Sequence, residues 1–287
     1  MKRIGIIGLC LTAMFAFSTV VAGVAHAAGP DILVNHKVLV GEALLNIEGS
    51  NVGPAVLSST DGNVECASVT QTSAKIIGTD PGVAVGSGIL EKCIRQGHNG
   101  CHATTGIHPT GLIGPIEGVG LLAYPKGKTG SLLEREEKAL GLVMPLRSTN
   151  EFVQFTYTNS LAECGLFSNQ TVKVIATGTE LTTNVHGNEI KSKCGVISQL
   201  GGYNLLTNAY ELAKSGEEAL DGASNFPTAA EGGAITEAEV LVSPGTFGVV
   251  KCGLEVTVLK VAAFPLGLGR FNMENMSAGD ELGWLAS

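Results

Sequence analysis

Apolar and polar residues alternate along much of the chain, which is the pattern of strands that bury one face of a sheet. Apolar residues recur at every second position in three clear stretches, which are Ala43, Leu45 and Ile47; Val153, Phe155 and Tyr157; and Val172, Val174 and Ala176. Turn residues separate such stretches, and Asp61-Gly62-Asn63 is a strong hairpin signal. The alternation also predicts strands within residues 64–77 and 83–93.

One segment favours a helix instead. Ser131 and Glu134 have the spacing of a capping box, and charged residues that favour helices follow them. The apolar face of this segment is thin. We therefore expect one or two solvated helical turns within residues 131–140, set between strands.

The composition agrees with short strands joined by tight turns. The chain has 39 glycines, and charged residues make up only 15% of it, whereas disorder requires low hydrophobicity and high charge. We predict an all-β protein, a mainly antiparallel sandwich or barrel of about a dozen strands stapled by disulfides. Residues 28–264 are assigned to a single all-β domain, with an alternative break near residues 201–233, and residues 265–287 to a C-terminal tail.

The first 27 residues have the organisation of a secretory signal peptide. Lys2 and Arg3 precede a long uncharged, mostly apolar run that ends in Ala25-His26-Ala27. The alternative is an uncleaved membrane anchor, because the apolar run is nearly long enough to span a bilayer. We expect cleavage after Ala27, a secreted or cell-surface location, and no stable membrane span after cleavage.

The charge of the mature chain argues against nucleic-acid binding. Cleavage would remove two of the 18 basic residues and none of the 26 acidic ones, which leaves a net charge of −10. Such a surface repels phosphate backbones. The expected partner is therefore an extracellular or cell-envelope molecule and not a nucleic acid.

The cysteine count predicts a disulfide framework. Seven cysteines become six once Cys10 leaves with the signal peptide, and an even number in an exported chain is typical of paired cysteines. Six cysteines allow 15 connectivities, and the sequence does not choose among them. Proximity along the chain favours one pair, and the placement of cysteines in neighbouring strands favours two more: Cys93 with Cys101, Cys66 with Cys164, and Cys194 with Cys252.

Several segments, taken in order, resemble a known group of proteins. They are EALLNIEGSNVGPAVLSS, VECASVTQTSAKIIGT, IGPIEGVGLLAYPKGKTG, FVQFTYTNSLAECG and VKVIATGTELTTNV, together with the Cys93 and Cys101 pair. The chain is similar here to the uncharacterised secreted β-rich proteins found in many copies in soil actinobacteria. The resemblance covers residues 42–185 and, more loosely, the region to residue 262. It implies export and a β fold with paired cysteines, and it brings no known activity.

One loop contains a candidate metal site. Cys93, His98, Cys101, His102 and His108 lie close together in the sequence, and imidazole and thiolate are ligands that zinc and copper prefer. In the alternative, the two cysteines are oxidised and the histidines lie on a polar loop. An oxidising compartment favours this alternative, so we expect no cofactor and keep zinc or copper as the second choice.

The sequence contains no signature of a catalytic nucleophile. It has no Gly-x-Ser-x-Gly elbow and no His-Glu-x-x-His helix, so we assign no catalytic residue. We predict a secreted or cell-surface non-catalytic β protein with a structural or binding role. The first alternative is a secreted hydrolase whose site is assembled from distant loops, and the second is a metal-binding protein that uses the Cys/His loop of residues 93–108.

Overall fold

The computed structural model of the chain describes most residues from 30 onward and two residues before them. The described ranges are 25–26, 30–35, 37–39, 44–77, 82–106, 110–130, 138–147, 149–159, 161–204, 206–207, 209–212, 214–215, 218–219, 223–226, 233–243, 246–257, 261–274 and 282–285. Almost all of the secondary structure in them is β, as the alternating pattern predicts.

Within the described residues the chain forms 24 strands. In chain order they are β1 Ala25–His26, β2 Asp31–Val34, β3 Lys37–Val38, β4 Leu44–Ser59, β5 Val64–Cys66, β6 Ser68–Ile77, β7 Val83–Glu91, β8 Ile94–Arg95, β9 His98–Thr104, β10 Ile113–Pro125, β11 Leu140–Pro145, β12 Glu151–Thr158, β13 Thr171–Ala176, β14 Glu180–Val185, β15 Asn188–Lys193, β16 Val196–Asn204, β17 Ala209–Leu212, β18 Glu218–Ala219, β19 Ala223–Phe226, β20 Glu237–Ser243, β21 Thr246–Lys251, β22 Leu254–Val256, β23 Val261–Glu274 and β24 Leu282–Leu285. A short helix, α1 Leu161–Cys164, and a 3-10 turn, Gly165–Phe167, lie between β12 and β13.

Eight of these strands close a ring, which we call the first barrel. Each strand pairs antiparallel with the next in the order β4, β5, β8, β9, β12, β13, β22 and β23, and β23 returns to β4. Closure removes the free edges at which open sheets aggregate. Of the two predicted architectures, the ring is therefore a barrel, with extra strands around it.

The interior of the first barrel follows from strand register. Side chains alternate between the two faces of a strand, so residues opposite each other on paired strands share a face. The pairs on the interior face include Leu57 with Val64, Phe155 with Val172, and Val174 with Val256. The buried members of this cluster are Val64, Cys66, Cys93, Cys101, Ala103, Ile113, Phe152, Val153, Phe155, Tyr157, Cys164, Val172, Val174, Ala176, Leu254 and Ala263. The predicted alternation in β12 and β13 is confirmed by this core.

Two long strands connect the first barrel to a second ring. That ring contains eight strands, and β23 again closes onto β4. The strands pair in the order β4, β6, β7, β10, β11, β16, β19 and β23. The 16 residues of β4 and the 14 of β23 are long enough to take part in both rings. Their register shifts between Leu266 and Leu268, opposite Gly53 and Pro54, and a bulge is one of the few places within a sheet that accept proline.

Additional strands pack against the second ring. The hairpins β14–β15 and β20–β21 contribute Leu181, Val185, Ala238, Val240 and Val250 to a core that also contains residues of β10 and β11. A smaller sheet in the order β18, β24, β2 and β3 contributes Ile32 and Trp284 to a third cluster. Apolar surface is thus buried on both faces of β10.

One predicted boundary falls inside a strand. The boundary between domain and tail, at residues 264 and 265, falls inside β23, which pairs with β4 through Glu274. Residues 265–274 of the predicted tail therefore belong to β23, and Trp284 is buried in β24, which pairs with β2. Residues 201–233, the alternative break, contribute β17, β18 and β19, and β19 joins β16 to β23.

Two other predictions fall mainly outside the described residues. Of the predicted signal peptide, only Ala25 and His26 are described, as the strand β1 that pairs parallel with β14, so cleavage stays a prediction. Of the predicted helix, residues 131–137 are not described, and Leu140 begins β11. Within the described residues, no helix is both long enough and apolar enough to cross a membrane.

Candidate functional site

The three disulfides pair the six cysteines differently from the sequence prediction in two cases. Cys66 bonds Cys93, Cys101 bonds Cys164, and Cys194 bonds Cys252. The predicted pairs Cys93–Cys101 and Cys66–Cys164 are therefore wrong, and Cys194–Cys252 is confirmed.

Strand register explains the first pair. β5 and β8 run antiparallel with Val64 opposite Arg95 and Glu65 opposite Ile94. The next position in that register sets Cys66 opposite Cys93, with their Cα atoms 4.0 Å apart. Cys101 on β9 then bonds Cys164 at the end of α1. Proximity in the sequence was a poor guide because pairing between strands decides which cysteines meet.

The same disulfides remove the thiol ligands of the candidate metal site. Cys93 and Cys101 are each oxidised in a disulfide bond, so a metal site that uses their thiolates is excluded. His98 and His102 lie on β9, and His108 lies outside the described residues. In the part of the chain that the structure describes, His, Cys, Asp and Glu side chains form no group of three suited to a metal ion.

The strongest candidate site is a cleft at one end of the first barrel, which we call the Arg95 cleft. Its volume is about 410 Å³ when the space open to solvent is counted, and the enclosed part has room for only about one water molecule. The cleft is therefore narrow. It is lined by Leu57, Ser59, Asp61, Gly62, Val64, Arg95, Phe155, Tyr157, Phe167, Val172, Val256 and Val261.

Arg95 faces the interior of the first barrel. The register sets it opposite Val64, a buried residue of the barrel core, so the two side chains lie on the same face of the sheet. Its guanidinium carbon lies 4.8 Å from the ring centroid of Phe167. Its Nη1 donates a hydrogen bond to the carbonyl oxygen of Cys164, at 3.2 Å. The arginine is thus held by the helical segment that joins β12 to β13.

Two glycines lie beside the guanidinium of Arg95. A Cβ on Gly62 would lie 3.4 Å from Arg95 Nε, and a Cβ on Gly165 would lie 3.4 Å from Nη1. Gly165 has φ +61°, in the left-handed region that glycine adopts without strain. An added Cβ at either glycine would make only ordinary van der Waals contact with the guanidinium.

The charge of Arg95 has no acidic partner among the described residues. Among the described residues, no carboxylate oxygen lies within 4.0 Å of its guanidinium, whereas other cations form ion pairs. Asp61 lines the same cleft but is exposed. Arginine carries five N–H donors, and the bond to Cys164 uses one nitrogen. The arginine is half-buried, so the remaining donors are available beside an apolar cavity.

Tyr157 supplies the phenol of the cleft. Burial raises its pKa to about 12, and the positive charge of Arg95 lowers it by a smaller amount. The phenol is therefore protonated at neutral pH. It can donate a hydrogen bond to a ligand, and it is a poor base or nucleophile.

A second cleft lies beside the Cys194–Cys252 disulfide. Its volume is about 300 Å³ when the space open to solvent is counted, and its described lining includes Ile197, Phe226, Phe264 and no charged side chain. The Arg95 cleft is therefore the better candidate, because a ligand site combines apolar walls with a few placed polar groups.

Arg95 was not predicted as a site residue from the sequence. One local pattern indicates its inward orientation. Cys93 is buried and Arg95 is two positions further along, so in an extended chain both side chains lie on the same face. The partners at Gly62, Cys164 and Phe167 are distant in sequence, so only the tertiary structure brings them together.

Comparison with known proteins adds no relative. No protein-family model, curated protein or solved structure matches the chain. The resemblance to secreted actinobacterial proteins stays a prediction.

Proposed function

We propose that this chain is a secreted or cell-surface, non-catalytic binding protein, and that the Arg95 cleft is its ligand site. The observation that carries this proposal is an inward-facing arginine at the end of an apolar barrel, for which the described residues supply no acidic partner. Buried or half-buried charges cost free energy unless they are paired. A bound ligand is a natural source of the missing partner.

The size of the barrel supports a small ligand. An eight-stranded barrel has an interior just wide enough to be filled by side chains or to hold one small molecule. Here aromatic and branched side chains form a buried core in the interior. The ligand therefore enters at the end of the barrel, where the cleft lies.

The polar groups of the cleft favour binding over catalysis. Covalent catalysis requires a nucleophile within hydrogen-bond reach of a base. Tyr157 remains protonated at neutral pH, and Ser59 donates its hydroxyl hydrogen to the carbonyl oxygen of Gly62, at 2.6 Å. No described feature favours the hydrolase or the metal-binding alternative over this proposal.

Three disulfides support an oxidising location. Disulfides persist in secreted and extracellular proteins and are rare in reducing compartments, and the predicted signal peptide agrees. The partner is then an extracellular or cell-envelope molecule. An intact mass of the protein recovered outside the cytoplasm, taken with and without thiol alkylation, tests this part. We expect a chain that begins at residue 28 and in which no thiol reacts. A retained signal peptide or reactive cysteines would contradict it.

The binding role is tested separately by nuclear magnetic resonance on the exported protein. We expect small amphiphilic molecules to shift the backbone resonances of Val64, Arg95, Tyr157 and Val256 in a saturable way, while resonances near Trp284 stay unchanged. Turnover of ester, peptide or glycoside substrates that is lost in Tyr157→Phe would instead establish a catalytic role and overturn the proposal.

A further inference from the structure

We infer that the ligand of the Arg95 cleft is an amphiphile with a narrow, unbranched apolar chain and a terminal carboxylate. The inference rests on the proposed role of the cleft as the ligand site, and it adds the chemical class of the ligand. The apolar side chains that line the cleft indicate the apolar part of the ligand. Arg95 indicates the head group of the ligand.

The apolar part follows from the lining. The branched and aromatic side chains that line the cleft are Leu57, Val64, Phe155, Val172, Val256 and Val261. Their burial against a ligand is favourable in proportion to the apolar area removed from water. The space enclosed between them has room for only about one water molecule, which excludes wide ring systems, so the alkyl chain of the ligand lies against these walls in the part of the cleft that is open to solvent.

The head group follows from Arg95. A guanidinium presents a planar fork of N–H donors that matches the two oxygens of a carboxylate. Cys164 occupies one donor nitrogen, and Phe167 covers one side of the group. Among the described residues no acid competes within ion-pair distance. The half-buried position also reduces screening by solvent, which strengthens a pair formed there.

The nearby polar groups are compatible with a carboxylate. Tyr157 is protonated and is a hydrogen-bond donor. Asp61 is the acidic residue of the lining, and its exposed position keeps its charge in water. The overall negative charge of the protein acts mainly within the Debye length of about 8 Å at physiological ionic strength. A ligand that reaches Arg95 is therefore governed by the contacts inside the cleft.

The test uses three probes with the same alkyl chain and different head groups: octanoate, octanamide and octylamine. Affinities for the exported protein are measured by calorimetry, and the site is mapped by nuclear magnetic resonance. We expect octanoate to bind at least about tenfold more tightly than octanamide, which corresponds to about 1.4 kcal/mol. Octylamine is expected to bind most weakly. This comparison needs no substitution and does not depend on the folding of a variant.

Two variants identify the arginine as the cause. Arg95→Gln is expected to reduce octanoate affinity about tenfold, to the level of octanamide, and to leave octanamide binding unchanged. Arg147→Gln removes the same charge from an exposed ion pair with Glu117 outside the cleft, and we expect it to leave both affinities unchanged.

The outcomes separate the two proposals. If octanamide binds as tightly as octanoate and shifts the same cleft resonances, the carboxylate inference is overturned and the binding role stands. If none of the three probes shifts cleft resonances, the inference and the proposed binding site both fail. If Arg147→Gln weakens octanoate as much as Arg95→Gln does, the effect is one of overall charge and the assignment to Arg95 is wrong.

Discussion

The guanidinium of Arg95 lies over the ring of Phe167, with 4.8 Å between the guanidinium carbon and the ring centroid. One residue is on β8 in the wall of the first barrel, and the other is in the 3-10 turn after α1. The contact forms because the Cys101–Cys164 disulfide fastens α1 to β9, and because the carbonyl of Cys164 accepts a hydrogen bond from Arg95. The turn therefore orients the arginine at the end of the barrel.

The first prediction concerns the energy of this contact. Substituting Phe167→Leu keeps an apolar side chain but removes the aromatic face, and we expect the free energy of unfolding to fall by about 1 kcal/mol. A double-mutant cycle with Arg95→Gln, measured by urea denaturation, isolates the pair and should give a coupling of about 0.5–1 kcal/mol. Additive effects of the two substitutions would show that the stacking contributes nothing.

The second prediction compares two disulfides of similar loop length. The pairs Cys101–Cys164 and Cys194–Cys252 are separated by 63 and 58 residues, so loop-closure entropy predicts that removing either pair costs about 4 kcal/mol. We expect Cys101→Ala/Cys164→Ala also to weaken ligand binding at the Arg95 cleft, because it releases the turn that holds Phe167. Cys194→Ala/Cys252→Ala serves as the matched control.

Urea denaturation and calorimetry measure the two effects separately. Equal loss of binding in both double variants would mean that the effect comes from general destabilisation. Unchanged binding in Cys101→Ala/Cys164→Ala would contradict the role of α1 in positioning Arg95.

The third prediction follows from the buried phenol of Tyr157. Its pKa is raised from 10.0 to about 12 by burial. The unfolded chain therefore loses this proton at a lower pH than the folded chain does. The resulting contribution to stability is fully present below about pH 10 and is lost as the pH rises to about 12, a change on the order of 2–3 kcal/mol.

The matched variant for this prediction is Tyr157→Phe, which keeps the ring and removes the ionisable group. Urea denaturation at a series of alkaline pH values should show a shallower decline in the free energy of unfolding for the variant than for the wild-type chain. Parallel curves for the two proteins would show that Tyr157 does not carry the raised pKa.

The fourth prediction concerns Gly178, which lies where three segments cross beside the third disulfide. A Cβ there would be 2.2 Å from the carbonyl oxygen of Lys251 and 2.4 Å from that of Cys194. Both are backbone atoms, and Gly178 N–H itself donates to Cys194, at 3.1 Å. We expect Gly178→Ala to destabilise the fold by about 3 kcal/mol.

The control for this substitution is Gly187→Ala in the turn between β14 and β15. Gly187 has φ +77°, and a Cβ there would meet nothing within 4 Å, so only backbone strain of about 1 kcal/mol is expected. Thermal or urea denaturation of the two variants tests the difference. Equal effects would mean that the crossing at Gly178 relaxes easily.

The β class of the fold was predictable because it depends on local patterns. Alternation at Val153, Phe155 and Tyr157 is a property of neighbouring residues, and it matches the buried face of β12 in the barrel. Short-range patterns also placed the turn before β5. They were less informative about the end of the chain, where β23 and β24 are held by pairing with the distant strands β4 and β2.

The sequence by itself determined the fold class and the presence of paired cysteines, since period-2 alternation and composition are local quantities. The tertiary structure decided the ring closure and the pairing of Cys66 with Cys93 and of Cys101 with Cys164. It also decided the environment of Arg95. These features depend on which distant strands become neighbours and in what register, and a shift of one residue would turn Arg95 from the barrel interior to the outer face.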